Sequence, residues 1–142
     1  MNDENPVSIL SDEECWEFLG SQEFGRLAFH LAEQVHITPI NYAVDDGTLL
    51  FRTAEGSKLL AVVMNPDIAF EVDAYDDETA ISVILRGSAR LLEEDEAHRS
   101  ENVPLRPWVP TLKYNVVEIR PTEISGRRFS LAKPWTHLNT EA

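Results

Sequence analysis

Apolar and polar residues alternate along most of this chain, and the alternation is broken at turn-forming positions. This period of two predicts strands over Gly25–Leu31, Val35–Val44, Thr48–Thr53, Ile68–Asp73, Ala80–Leu92 and Lys113–Arg120. Asp45-Asp46-Gly47 lies between two of these runs and reads as a tight hairpin. Helical spacing is confined to short pieces. Ser11 followed three residues later by Glu14 forms a capping box that opens a helix through Cys15, Trp16, Phe18 and Leu19, with Gly20 as its expected end. A second helix is expected over Ser57–Met64, stopped by Asn65-Pro66-Asp67, and the charged stretch Glu93–Asn102 reads as a third. Pro104, Pro107 and Pro110 bracket Trp108 in an irregular link. Close-set strands without a βαβ rhythm predict a mainly β chain with a few short helices, six or seven strands forming a small barrel or a strongly curved antiparallel sheet and not a doubly wound parallel one.

A length of 142 residues is expected to form a single domain over 1–142. Twenty-five acidic against twelve basic residues give a net charge of -13, which opposes binding to nucleic acid and to anionic membrane surfaces. No apolar run reaches the ~20 residues of a bilayer span. The acidic start MNDENPVSILSDEE does not resemble a secretory leader, and the single cysteine, Cys15, suits a reducing compartment; the expected location is the cytoplasm. Neighbouring carboxylates oppose thiolate formation at Cys15, so inert packing is expected there. His30, His36, His98 and His137 have no metal-ligand spacing, and no metal site is expected. Glu93-Glu94-Asp95-Glu96 reads as a solvated helix start, and Glu123 is an expected partner for Arg127 or Arg128.

Against that acidic background, one stretch stands out. Between Leu49 and Asp73, Arg52 and Lys58 flank Thr53, Gly56 and Ser57 at the join of a strand and a helix. A helix start exposes unpaired N–H groups and partial positive charge, and two cations and two hydroxyls beside it make a cradle for a phosphate. Neither the GxxxxGK[ST] loop nor GxGxxG is present, so any phosphate is held by another architecture. Pro39 interrupts a strand pattern, a position expected at an edge or bulge.

The order FGRLAF (24–29), HITPINYAV (36–44), FRTAEGSK (51–58), IAFEVD (68–73), SVILRGSA (82–89) and ISGRRF (124–129) resembles the pyridoxamine 5'-phosphate oxidase-like flavoproteins, in particular their short single-domain branch. The resemblance implies a split β-barrel that binds flavin mononucleotide (FMN). It implies that Arg52, Thr53, Ser57 and Lys58 hold the flavin phosphate. Pro39, Ile40 and Asn41 would pass the isoalloxazine ring, and Ser82 and Val83 would flank it. It also implies a homodimer with sites between subunits, and hydride exchange with a small organic substrate. A deazaflavin carrier on the same fold, or a flavin-binding or redox-sensing protein without turnover, are the alternatives. Ile81 stands where related sequences often carry Trp, and the oxidase's Arg and His constellation for pyridoxal phosphate is not recognisable around Trp135-Thr136-His137.

Overall fold

Two tight hairpins set the frame of the chain, a computed structural model that describes residues 6–53, 61–62, 67–105 and 115–131. The first joins β2 (Phe24–Leu31) to β3 (Gln34–Asp45) through Ala32 and Glu33, at φ 51° and 67°. The second joins β3 to β4 (Thr48–Thr53) through Asp46 and Gly47, at φ 45° and 77°. Two successive left-handed residues match the twist of paired strands. The Asp-Gly hairpin is as expected, whereas Ala32-Glu33 carries no such signature.

Beyond these come β5 (Asp67–Tyr75), β6 (Thr79–Leu91) and β7 (Asn115–Ser130), with a short β1 (Val7–Ile9) at the other end of the described chain. The described strands form one antiparallel sheet in the order β1-β7-β4-β3-β2-β5-β6. A further β6–β7 pairing closes six of them into a barrel. Closure removes the sheet edges on which an open sheet would aggregate. This is the mainly β architecture that the alternation predicts, and the split barrel that the family resemblance implies. Along one side β7 runs beside β6; along the other it meets β4 with Asn115–Ile119 and β1 with Arg127–Phe129.

Two expectations need correction. The last strand does not stop at Arg120 but continues to Ser130, past Pro121. It does so through a bulge: Arg86 faces Glu123, whereas Gly87 faces Pro121, so Thr122 is the extra residue and its hydroxyl donates to the Arg86 carbonyl at 3.2 Å. Gly87 permits this close approach, because a Cβ there would collide with the Arg120 carbonyl oxygen. Gly20 does not end α1 (Asp12–Ser21); Gln22, in extended conformation, does. The capping box itself forms, with Ser11 Oγ accepting from the Glu14 N–H at 3.1 Å and Glu14 Oε1 from the Ser11 N–H at 2.9 Å. The expected third helix is a single turn, α2 (Glu94–Ala97), continued by a 3-10 turn over His98–Asn102.

The barrel interior holds Leu27, Ile40, Tyr42, Leu49, Phe51, Phe70, Val72, Val83, Leu85, Val117 and Ile119, and α1 adds Cys15 and Leu19. The buried Tyr42 hydroxyl donates to the Leu19 carbonyl at 2.7 Å, which ties α1 to β3. A second apolar cluster of Ala43, Leu50, Leu92, Leu105 and Val116 lies on the outer side of β3, β4 and β7, with Ala97 and Val103 packed on it. Most of the expected helix over Ser57–Met64, the link around Trp108, and Lys113 lie outside the described residues; Ala61 and Val62 are helical and fully buried.

Candidate functional site

Strand alternation sorts the residues singled out above by face. Successive side chains point to opposite sides, and directly paired residues share a side. On β3, Ile40 and Tyr42 point inward, which sets Pro39 and Asn41 outward. On β6, Val83 points inward and is fully buried, and Ser82 points outward. On β4, Phe51 is fully buried and Arg52 outward. Arg52, Asn41, Pro39 and Ser82 therefore face the outer wall. Ile40 and Val83 fill the core, so only their backbones could meet a ligand there. Thr53, at the end of β4, is 8% exposed. Ser57 and Lys58 lie outside the described residues. Pro39 pairs with Arg26 of β2, while pairing of β3 with β4 begins only at Tyr42. The proline thus sits where no described strand adjoins β3 on its β4 side, the edge-like setting that its missing N–H requires.

Arg52 does not stand alone. Its Nη2 donates to Ser100 Oγ at 3.2 Å and its Nη1 to the Leu105 carbonyl at 3.3 Å. A guanidinium has five N–H donors. Among the described residues these two bonds use two of the five.

The other outward residues surround a polar centre that the sequence did not reveal. Arg26 on β2 pairs with Glu71 on β5, through Nε–Oε1 at 2.9 Å and a closer Nη2 contact, and its Nη2 reaches Asp73 Oδ2 at 2.8 Å. Ser82 Oγ donates to Glu71 Oε2 at 3.4 Å. Burial first, and then the hydrogen bond to Asp73, push the Glu71 carboxyl up, partly offset by Arg26. Asp73 is held below its ordinary range, chiefly by the Glu71 hydrogen bond. The two carboxyls are thus pushed in opposite directions. The centre's only signal in the sequence is two acids at alternate positions of an otherwise apolar strand, in IAFEVDAY.

Around this centre the outer wall is unusually apolar. Ile37 is 69% exposed, Val35 82% and Tyr75 83%, with Phe24 and Ile84 also exposed. A cleft of about 440 Å³ opens on the same wall, over Ala28, Ile68 and Ala69, with His30, Val35, Arg86 and Thr122 at its sides. Arg86 is paired with Glu123 at 3.8 Å, so Glu123 is not the partner of Arg127 or Arg128 that its sequence position suggested. Cys15 is fully buried, and burial, then Asp12 and Glu14, push its thiol up, consistent with inert packing. Among the described residues, no group of histidine, cysteine and carboxylate side chains is arranged to hold a metal ion, and no helix is long and apolar enough to cross a membrane.

Comparison with known proteins agrees with this fold. Residues 11–128 match the family pattern described as pyridoxamine 5'-phosphate oxidase. The structure of an FAD binding protein from Mycobacterium smegmatis is 43% identical, covering 87% of this chain and 98% of that one at a TM-score of 0.78. A candidate pyridoxamine 5'-phosphate oxidase from Corynebacterium glutamicum is 39% identical, covering 91% and 98% at a TM-score of 0.79. An uncharacterized Mycobacterium tuberculosis protein is 32% identical over 129 residues, 86% of this chain and 85% of its own length.

Proposed function

Since the chain belongs to the pyridoxamine 5'-phosphate oxidase family, we propose that it is a flavin-dependent oxidoreductase that holds FMN between two copies of itself and exchanges a hydride with a small organic substrate. The observation that carries this reading is the placement of the two outward groups, Arg52 and Ser82. They lie on β4 and β6, which the closed barrel separates by β7 on one side and by β3, β2 and β5 on the other. By way of β3, β2 and β5, four inter-strand steps of about 4.8 Å make an arc of roughly 19 Å over a convex wall. A flat ring does not follow that curvature. Two barrels brought together by their outer walls can supply Arg52 from one and Ser82 from the other. The exposed Ile37, Val35, Phe24 and Ile84 give such a dimer an apolar contact.

In this reading Arg52 and Lys58, with the hydroxyls of Thr53 and Ser57, bind the phosphate. The β3 backbone at Pro39, Ile40 and Asn41 meets the polar edge of the ring, and Ser82 with the β6 backbone at Val83 meets its other side. Bound flavin supplies the electron transfer itself; the chain orients it and keeps water from one face. The cleft beside Ala28 and Ala69 has the volume for a small organic substrate. Glu71, paired with Arg26, lies on the same wall. A location in the cytoplasm fits the single, buried cysteine.

FAD in place of FMN is the second reading, favoured by the FAD binding relative from Mycobacterium smegmatis. Titration with FMN, FAD and riboflavin separates the two. Arg52→Ala combined with Lys58→Ala should weaken FMN binding by a factor of roughly one hundred and leave riboflavin binding unchanged, since each charge-assisted hydrogen bond contributes on the order of 1.5–3 kcal/mol. Sedimentation of the loaded protein should show a dimer. FMN bound as tightly by the double variant, or a monomer in sedimentation that carries stoichiometric flavin, refutes the proposal. Absorbance of the purified chromophore distinguishes flavin from deazaflavin. Tight flavin without turnover by a nicotinamide donor would leave a binding protein in place of an enzyme.

A further inference from the structure

The least expected ionic arrangement in the molecule is a carboxylate, Glu118, only 1% exposed and shared by three arginines. Arg99 Nη1 donates to its Oε2 at 2.6 Å, Arg90 Nε to its Oε1 at 2.9 Å, and Arg120 Nη2 approaches Oε1 at 3.4 Å. Arg99 comes from the 3-10 turn and the other three residues from β6 and β7. The same guanidinium reaches Asp45 Oδ2 at 2.8 Å and Thr48 Oγ1 at 3.0 Å, at the mouth of the β3–β4 hairpin. One side chain thus pins residues 94–105 to three strands of the wall. The next residue, Ser100, is 4% exposed; its hydroxyl donates to the Ala97 carbonyl at 3.1 Å and accepts from Arg52.

We propose that Arg99 and Ser100 are positioning residues of the anion site: Arg99, anchored on Glu118, fixes the turn whose Ser100 hydroxyl and Leu105 carbonyl set the direction of the Arg52 guanidinium. This rests on the assignment of Arg52 to the flavin phosphate. A free arginine side chain samples many rotamers, and each alternative orientation lowers its affinity for an anion at a fixed place. Two acceptors on the segment 98–105 restrict the guanidinium to fewer orientations and use two of its five N–H groups. Removing Arg99 does not orphan Glu118, which keeps Arg90 and Arg120, so the barrel should survive the change.

The test is a titration of wild type, Arg99→Ala, Arg99→Lys, Ser100→Ala and Arg52→Ala with FMN and with riboflavin. Arg99→Ala and Ser100→Ala should each weaken FMN binding by about tenfold, the effect of one misplaced hydrogen bond, and leave riboflavin binding unchanged. Arg99→Lys, which keeps charge and one donor, should recover part of the loss. Adding Arg99→Ala to Arg52→Ala should weaken FMN no further, because the two act through one group. Ser100→Ala touches no ion pair, so it remains informative if Arg99→Ala fails to fold. FMN affinity at the wild-type value in Ser100→Ala and in whichever Arg99 variants fold overturns the inference, as does an equal loss for FMN and riboflavin. A wild-type protein that binds neither flavin overturns the flavin reading itself, which is a separate result.

Discussion

Replacing Glu118 by Gln should expose how much of the stability rests on one buried charge. The carboxylate makes two short bonds to guanidinium groups, at 2.6 and 2.9 Å. Glutamine keeps one acceptor oxygen and turns the other position into an amine that cannot accept from arginine. One charge-assisted bond is lost and the other becomes a neutral acceptor. With about 1.5–3 kcal/mol for the first and about 1 kcal/mol for weakening the second, the expected loss is about 3 kcal/mol. The arginines themselves are 25% to 65% exposed, so water can hydrate them and hold the cost below the upper end for a broken buried pair. The loss should depend on pH. Burial opposes the Glu118 charge, but the hydrogen bonds from Arg99 and Arg90 outweigh it and hold the carboxyl below its ordinary 4.5. A depressed carboxyl contributes stability that is fully present above about 4.5 and lost as pH falls through the lower folded value. The gap between wild type and Glu118→Gln should therefore be widest near neutrality and narrow on acidification. Urea unfolding of flavin-free protein at one fixed concentration measures it, since both ligand and dimerisation shift apparent stability. A gap under about 1 kcal/mol at neutral pH, the scale of a solvent-exposed pair, would refute the reasoning. So would a gap that widens in acid.

Cys15→Ala should leave flavin content and any turnover unchanged and cost about 1 kcal/mol in urea unfolding, because the buried thiol only fills space against Gly126 and Leu10; flavin loss with a native fold would contradict this. Tyr42→Phe should cost about 1 kcal/mol, because the Leu19 carbonyl keeps the Gln22 N–H at 3.3 Å after the hydroxyl is gone. A loss above about 3 kcal/mol in the same assay would show that the α1 attachment depends on that hydroxyl.

What the sequence disclosed follows the range of the forces involved. Ser11 and Glu14, or Asp46 and Gly47, meet over a few residues, and their local chemistry announces them. Ala32 and Glu33 adopt the same turn without its usual residues, because the pairing of β2 with β3 imposes left-handed backbone on them. Gly20 misled as a stop because the chain leaves α1 by extension at Gln22 and so needs no left-handed residue there. Past Arg120, Pro121 and a polar run hide a strand that exists only because β6 templates it. In the candidate site, Arg52 was legible as a cation beside a helix start. Its bonds to Ser100 and Leu105 were not, since they join residues 48 and 53 positions apart. Arg26, Glu71 and Asp73 meet only when β2 and β5 pair, and Glu118 reads as one more polar position on a strand.

The long β7 has a consequence for how this protein comes off the ribosome. Among the described strands it closes the ring, pairing with β4 and β6, and it also carries β1, whose Val7 faces Phe129. Until residues 115–130 have emerged, β4 and β6 each present a bare edge to the cell. Contacts of such long sequence separation form late and slowly. The nascent chain therefore passes through a stage with its hairpins formed and its seam open, when protection from other chains depends on the speed of translation and on chaperones.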